Sequence, residues 1–148
     1  MQFEEDMADR LIIEKALETI SLNLKELKQA SDINRDVYMS DIRARRFIER
    51  TLHVIIEACI DIAHQIISSD NLREPSTYRD AFSVLCENGI IPESELPQFE
   101  KMAMFRNLLV HYYEKVDDDL VYEIFKNRLE DFEYFIKYIL KYLDSLNF

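Results

Sequence analysis

Arg106, His111 and Tyr113 are the residues of this chain whose types and spacing best suit joint chemistry, in the run Arg106-Asn-Leu-Leu-Val-His111-Tyr112-Tyr113. An arginine grips a phosphate through two parallel hydrogen bonds. An imidazole moves protons near neutral pH. A phenol offers a donor, an acceptor or a point of modification. In a straight helix Arg106 and Tyr113 lie about 20° apart around the axis, and His111 lies about 140° from Arg106. Either the helix ends near Val110–Tyr112, or the long arginine wraps toward a shared cleft. The following Glu114-Lys-Val-Asp-Asp-Asp119 suits a break. A plainer account stays open: an arginine at a helix terminus, a capping histidine and surface tyrosines.

Two further constellations lie upstream. His53, Glu57, Asp61 and His64 recur at helical spacing and share one face. Carboxylates and imidazoles on a bundle helix raise a di-metal site, which needs a second Glu/Asp-x-x-His on another helix. Asp61-Ile-Ala-His64 is the only such tetrad, so no metal and no cofactor is expected. The stripe reads as polar groups hydrogen-bonded to neighbours, its role open. Arg43, Arg45, Arg46 and Arg50 stand out against an acidic background. They form either a solvated helix face or a phosphate-binding patch, depending on what lies opposite. No glycine-rich loop or G-x-S-x-G elbow is present. Cys59 and Cys86 form no C-x-x-C pair and sit in apolar company, as free thiols of a reducing cytoplasm do.

The elements that must position these groups are helical. The chain has 148 residues, about one domain, with one glycine and three prolines, too few for a many-stranded sandwich or barrel. A net charge of −11 disfavours non-specific nucleic-acid binding, so any such role rests on a local basic site. The acidic N-terminus is unlike a signal peptide, and no apolar run approaches the ~18 residues of a membrane span. Periodicity predicts an all-α, up-and-down bundle of about five helices. The first runs from about Glu4 to Gln29, with Leu11, Ile12, Leu17, Ile20, Leu24 and Leu27 on its apolar face. The second runs from about Ile33 to Ser68, including Val37, Ile42 and Phe47 in that face. The third is Tyr78 to Glu87, capped by Ser76-Thr77 and stopped by Asn88-Gly89. The fourth starts near Ser94, with Pro97 in its first turn. The fifth spans about Asp118 to Leu146 behind an acidic start.

With this order in place, Arg, four residues, His, one residue, Tyr resembles the motif of the HEPN domain in its HepT-type toxin branch. The aromatic-rich Leu129-Glu-Asp-Phe-Glu-Tyr-Phe135 and the segment Glu57-Ala-Cys-Ile-Asp61-Ile-Ala also resemble this family. The likeness covers roughly residues 8 to 145, within a single HEPN-like domain over 1–148. It implies a bundle that dimerises and brings two copies of the motif to one cleft. It implies metal-independent cleavage of RNA, with Arg106 and His111 catalytic. It also implies a minimal nucleotidyltransferase (MNT) antitoxin partner that transfers AMP to the motif tyrosine, here Tyr113, with Tyr112 an added aromatic neighbour. No membrane partner is expected.

Two other readings remain at this stage. One keeps the fold as a non-catalytic nucleotide- or partner-binding subunit of a two-component nucleotidyltransferase. The other is a helical adaptor in which Arg106 and His111 point away from any cleft.

Overall fold

The computed structural model describes residues 2–110 and 117–146. Among these are seven α-helices: α1 (Gln2–Gln29), α2 (Arg35–Ser40), α3 (Ile42–Ser69), α4 (Tyr78–Glu87), α5 (Leu96–Val110), α6 (Asp118–Asn127) and α7 (Leu129–Ser145). A 3-10 turn at Glu93–Glu95 leads into α5. The all-α class is as expected, with seven helices among the described residues rather than five.

Each extra break has a cause visible in the structure. Asp41 is extended (φ −104°, ψ 107°) and serves two helices at once. Its backbone N–H donates to Val37 O at 2.8 Å, closing α2. Its side chain accepts from Arg43 N at 2.9 Å, opening α3. A short carboxylate that can bond its own neighbouring backbone competes with continued helix. The second break falls at Arg128 (φ −123°, ψ 8°), after Asn127, a poor helix-interior residue. It frees α6 to pack on α2 and α3 while α7 packs on α1.

α3 is the central helix, packed against α1, α2, α4, α5 and α6. Its α1 contact is a seam of Ile13, Leu17, Ile20, Leu24 and Leu27, spaced by four and three residues as in helices that cross at shallow angles. Ile13 therefore holds the position expected of Leu11 or Ile12, both of which are exposed. Val37, Ile42 and Phe47 are also exposed rather than core. α3 contains an 18-residue window of mean hydropathy 1.3, apolar and long enough to cross a membrane by composition, contrary to the expectation from sequence. Of that window, 61% is buried against the surrounding helices. Cys59 is fully buried and Cys86 half-buried, both free thiols.

Phe82 of α4, Phe99 of α5 and Phe135 of α7 form a three-ring cluster with centroids 5.4 to 6.0 Å apart. Such pairs contribute about 0.5–1.5 kcal/mol each beyond simple burial. The cluster fixes α4 beside α5. Both ends of α4 are strongly specified. Thr77 accepts from Asp80 N at 2.9 Å, and Asp80 accepts from Ser76 N at 2.9 Å. Arg73 holds Asp80 and Glu87 from outside, at 2.8 to 2.9 Å. At the other end Ile90 N donates to Leu85 O and Gly89 N to Cys86 O, the paired bonds of a Schellman stop. Gly89 takes φ +72° there, which a side chain would oppose.

Candidate active site

Arg106 leaves α5 toward the exposed edge of α3. Its Nε donates to Glu57 Oε1 at 2.6 Å. Its guanidinium carbon lies 4.5 Å from the centroid of the Tyr78 ring, a cation–π contact. The side chain is 17% exposed. Three helices meet in this arrangement: α5 supplies the cation, α3 the carboxylate and α4 the ring. Tyr78 is the first residue of α4, so the Thr77–Asp80–Arg73 cap described above also fixes the ring.

The polar stripe of α3 surrounds this contact. His53 Nε2 lies 3.2 Å from the same Glu57 Oε1. The His64 ring stands 5.6 Å from Tyr78, tilted by 43°. Burial acts to raise the Glu57 carboxyl, but the hydrogen bond and charge of Arg106, joined by His53, outweigh it. The carboxyl is held below its ordinary value and stays ionised. Asp61, one turn on, is shifted upward by partial desolvation and by the Glu57 charge, against the lowering effect of His64 and Arg106. Glu57 is thus committed to Arg106. Among the described residues no group of three or more His, Cys, Asp or Glu side chains is arranged to hold a metal ion.

The arginine cluster divides. Arg45 Nη1 donates to Met39 O at 2.6 Å and to Tyr38 O at 3.2 Å, satisfying carbonyls at the end of α2. It has a structural task. Arg46 pairs with Glu49 at 2.9 Å on the surface. Arg43 and Arg50 are exposed. By helical geometry Arg43, Arg46, Arg50, His53, Glu57, Asp61 and His64 fall within an arc of about 80°, along about 30 Å of α3. The basic cluster and the polar stripe are therefore one continuous face. Arg106 contacts its centre.

His111, Tyr112 and Tyr113 lie outside the described residues. Sequence reasoning found Arg106 and Glu57 separately but did not join them, and it treated Tyr78 only as a helix start. The hint for Glu57 was a carboxylate at a partly apolar helical position, which needs a cation. Tyr78 carried no signal of its own.

Comparison with known proteins agrees with the fold. The family described as ribonuclease HepT-like matches residues 20–139. A protein of Shewanella oneidensis described as mRNA nuclease HepT is 32% identical over 128 residues, 86% of this chain and 96% of that protein. A tRNA nuclease HepT of Aphanizomenon flos-aquae is 31% identical over 136 residues, 92% of each chain. Among solved structures, the tri-AMPylated HEPN toxin of Shewanella oneidensis in complex with MNT antitoxin superposes with a TM-score of 0.80 at 32% identity. That match covers 88% of this chain and 97% of that one.

Proposed function

This chain belongs to the ribonuclease HepT-like family, and from that premise we propose that it is a metal-independent endoribonuclease, the toxin of a HEPN/MNT pair. The observation that carries the reading is the fixed Arg106 guanidinium, half-buried between Glu57 and Tyr78 and five residues before His111.

In the proposed reaction the RNA 2′-oxygen attacks the adjacent phosphorus, and the P–O5′ bond breaks. The products are a 2′,3′-cyclic phosphate and a 5′-hydroxyl. The 2′-hydroxyl proton goes to a base, and the departing 5′-oxygen takes a proton from an acid. His111 carries protons in these steps. Arg106 stabilises the negative charge that grows on the phosphorane oxygens. Tyr113 orients the scissile phosphate. A two-fold dimer supplies His111 twice at one cleft, one copy as base and the other as acid. Arg43, Arg46 and Arg50 extend phosphate affinity along α3 away from Arg106, while Arg45 is engaged by α2.

The partner in this reading is an MNT antitoxin that transfers AMP to the Tyr113 hydroxyl. The bound AMP pairs with Arg106 and excludes substrate phosphate by occupancy and charge. The likeness to a tri-AMPylated toxin with its antitoxin supports this. The same reading takes residues 1–148 as one HEPN-like domain working in the cytoplasm; one contiguous core cluster from Ile13 to Leu143 supports the single domain. The test is expression of the chain alone and together with an MNT antitoxin. Growth arrest with RNA cleavage is expected only in the first case. Harmless expression of active-site-intact protein, with no cleavage after purification, contradicts the reading.

A further inference from the structure

We propose that Glu57 and Tyr78 are positioning residues for Arg106, which aim its guanidinium so that the edge formed by the two Nη groups faces the scissile phosphate. The proposal rests on the reading of Arg106 as the phosphate-binding arginine.

A guanidinium has five N–H donors in a planar fork and two faces. Glu57 Oε1 takes the Nε–H at 2.6 Å. The Tyr78 ring covers one face, 4.5 Å from the central carbon. Among the described residues the other hydrogen-bond acceptor at the guanidinium is Asn107 Oδ1, 3.5 Å from Nη1, at the limit of a hydrogen bond. The Nη edge is therefore the part left for a bidentate contact with phosphate oxygens. Two constraints from two different helices fix both the plane and the rotation of the fork. A flexible arginine would lose that freedom on meeting substrate; this one has already lost it on folding.

Glu57 has a second consequence that separates its role from simple support. A carboxylate beside the phosphate site repels the RNA ground state, so its benefit lies in aim rather than affinity. Removing it should lower kcat while leaving KM unchanged or reduced, as expected when ground-state repulsion is lost together with orientation. Loss of packing alone gives no such split. His53, whose Nε2 lies 3.2 Å from the same Oε1, also holds the carboxylate in place.

The experiment is a double-mutant cycle on the purified full chain, read as RNA cleavage under single-turnover and steady-state conditions, with helicity and melting temperature as folding controls. Glu57→Ala is expected to lower kcat by about 10- to 100-fold, the range for displaced catalytic groups. KM should not rise. Glu57→Gln keeps an acceptor oxygen for Nε–H and should recover most of the loss. Tyr78→Leu should lower kcat in the same direction. In an Arg106→Ala background, Glu57→Ala should cost under about twofold, because a residue that acts only through Arg106 has nothing left to aim. A folded Glu57→Ala protein whose loss is the same in both backgrounds overturns the proposal, as does a wild-type kcat in Glu57→Ala. Wild-type cleavage by Arg106→Ala itself is a different result and overturns the functional reading from which the proposal starts.

Discussion

Arg106 and Glu57, 49 positions apart in the chain, meet through a 2.6 Å contact between Nε and Oε1 that ties α5 to α3. The contact makes a polar stripe on a core helix one wall of the proposed site. It also makes the shape of the arginine, and not only its charge, matter.

Arg106→Lys should therefore fail to substitute. An ammonium is a point charge without a fork, and it cannot satisfy Glu57 and a phosphate in one plane. Cleavage should fall by about 10²-fold or more, the scale for loss of one transition-state donor. Steady-state kinetics on a defined RNA measures this. Rescue to within a few-fold of wild type contradicts the planar-fork argument.

The Glu57 carboxyl is held below its ordinary value by Arg106 and His53 against burial. A carboxyl lowered on folding adds stability above its unfolded value, and that stability is lost as pH falls through the folded value. Melting temperature should therefore decline from about pH 5 downward, and Glu57→Gln should remove part of that decline. Parallel acid limbs for the two proteins would show that the pair contributes nothing to stability.

Tyr38 is fully buried in the α2 turn, and its hydroxyl has no hydrogen-bond partner among the described residues. Burial, with the nearby Glu49 and Asp118 charges, pushes its pKa up and keeps the phenol protonated. Tyr38→Phe removes an unsatisfied donor without changing the ring, so it should be neutral or stabilising by up to about 1 kcal/mol. Denaturant unfolding measures it. A loss of about 1 kcal/mol or more would show that the hydroxyl has a partner.

Much of the frame was legible because it is written locally. Thr77 before Tyr78 and Gly89 after Asn88 specify both ends of α4 by capping, and those bounds were read correctly. The divisions at Asp41 and Arg128 were not legible, because apolar residues continue at helical spacing across both. What decides there is a side-chain bond at Asp41 and a change of packing partner at Arg128. The seam of α1 was displaced because Leu11, Ile12 and Ile13 are equally apolar, and only the position of α3 selects Ile13. At the site, the spacing of Arg106, His111 and Tyr113 was visible in sequence. The contact of Arg106 with Glu57 and Tyr78 is tertiary and left no trace in local spacing.

Tyr113 is expected to be the regulatory hydroxyl. Protein purified with an MNT antitoxin and ATP should gain mass in AMP units, mapped to Tyr113 by peptide mass spectrometry. Tyr113→Phe should escape neutralisation and lose some cleavage through weaker phosphate orientation. Labelling confined to Tyr112 contradicts the assignment and leaves the nuclease reading standing.

The most direct test of the central claim is cleavage of RNA by the purified antitoxin-free chain in excess EDTA, compared with Arg106→Ala and His111→Ala. The account predicts that wild type cleaves in chelator, leaving 2′,3′-cyclic phosphate ends. Each folded alanine variant should lose about 10²–10⁴-fold, the range for acid–base and charge-stabilising groups. Cleavage that stops in EDTA and returns with a divalent cation, or that persists at wild-type rate in both variants, would contradict it.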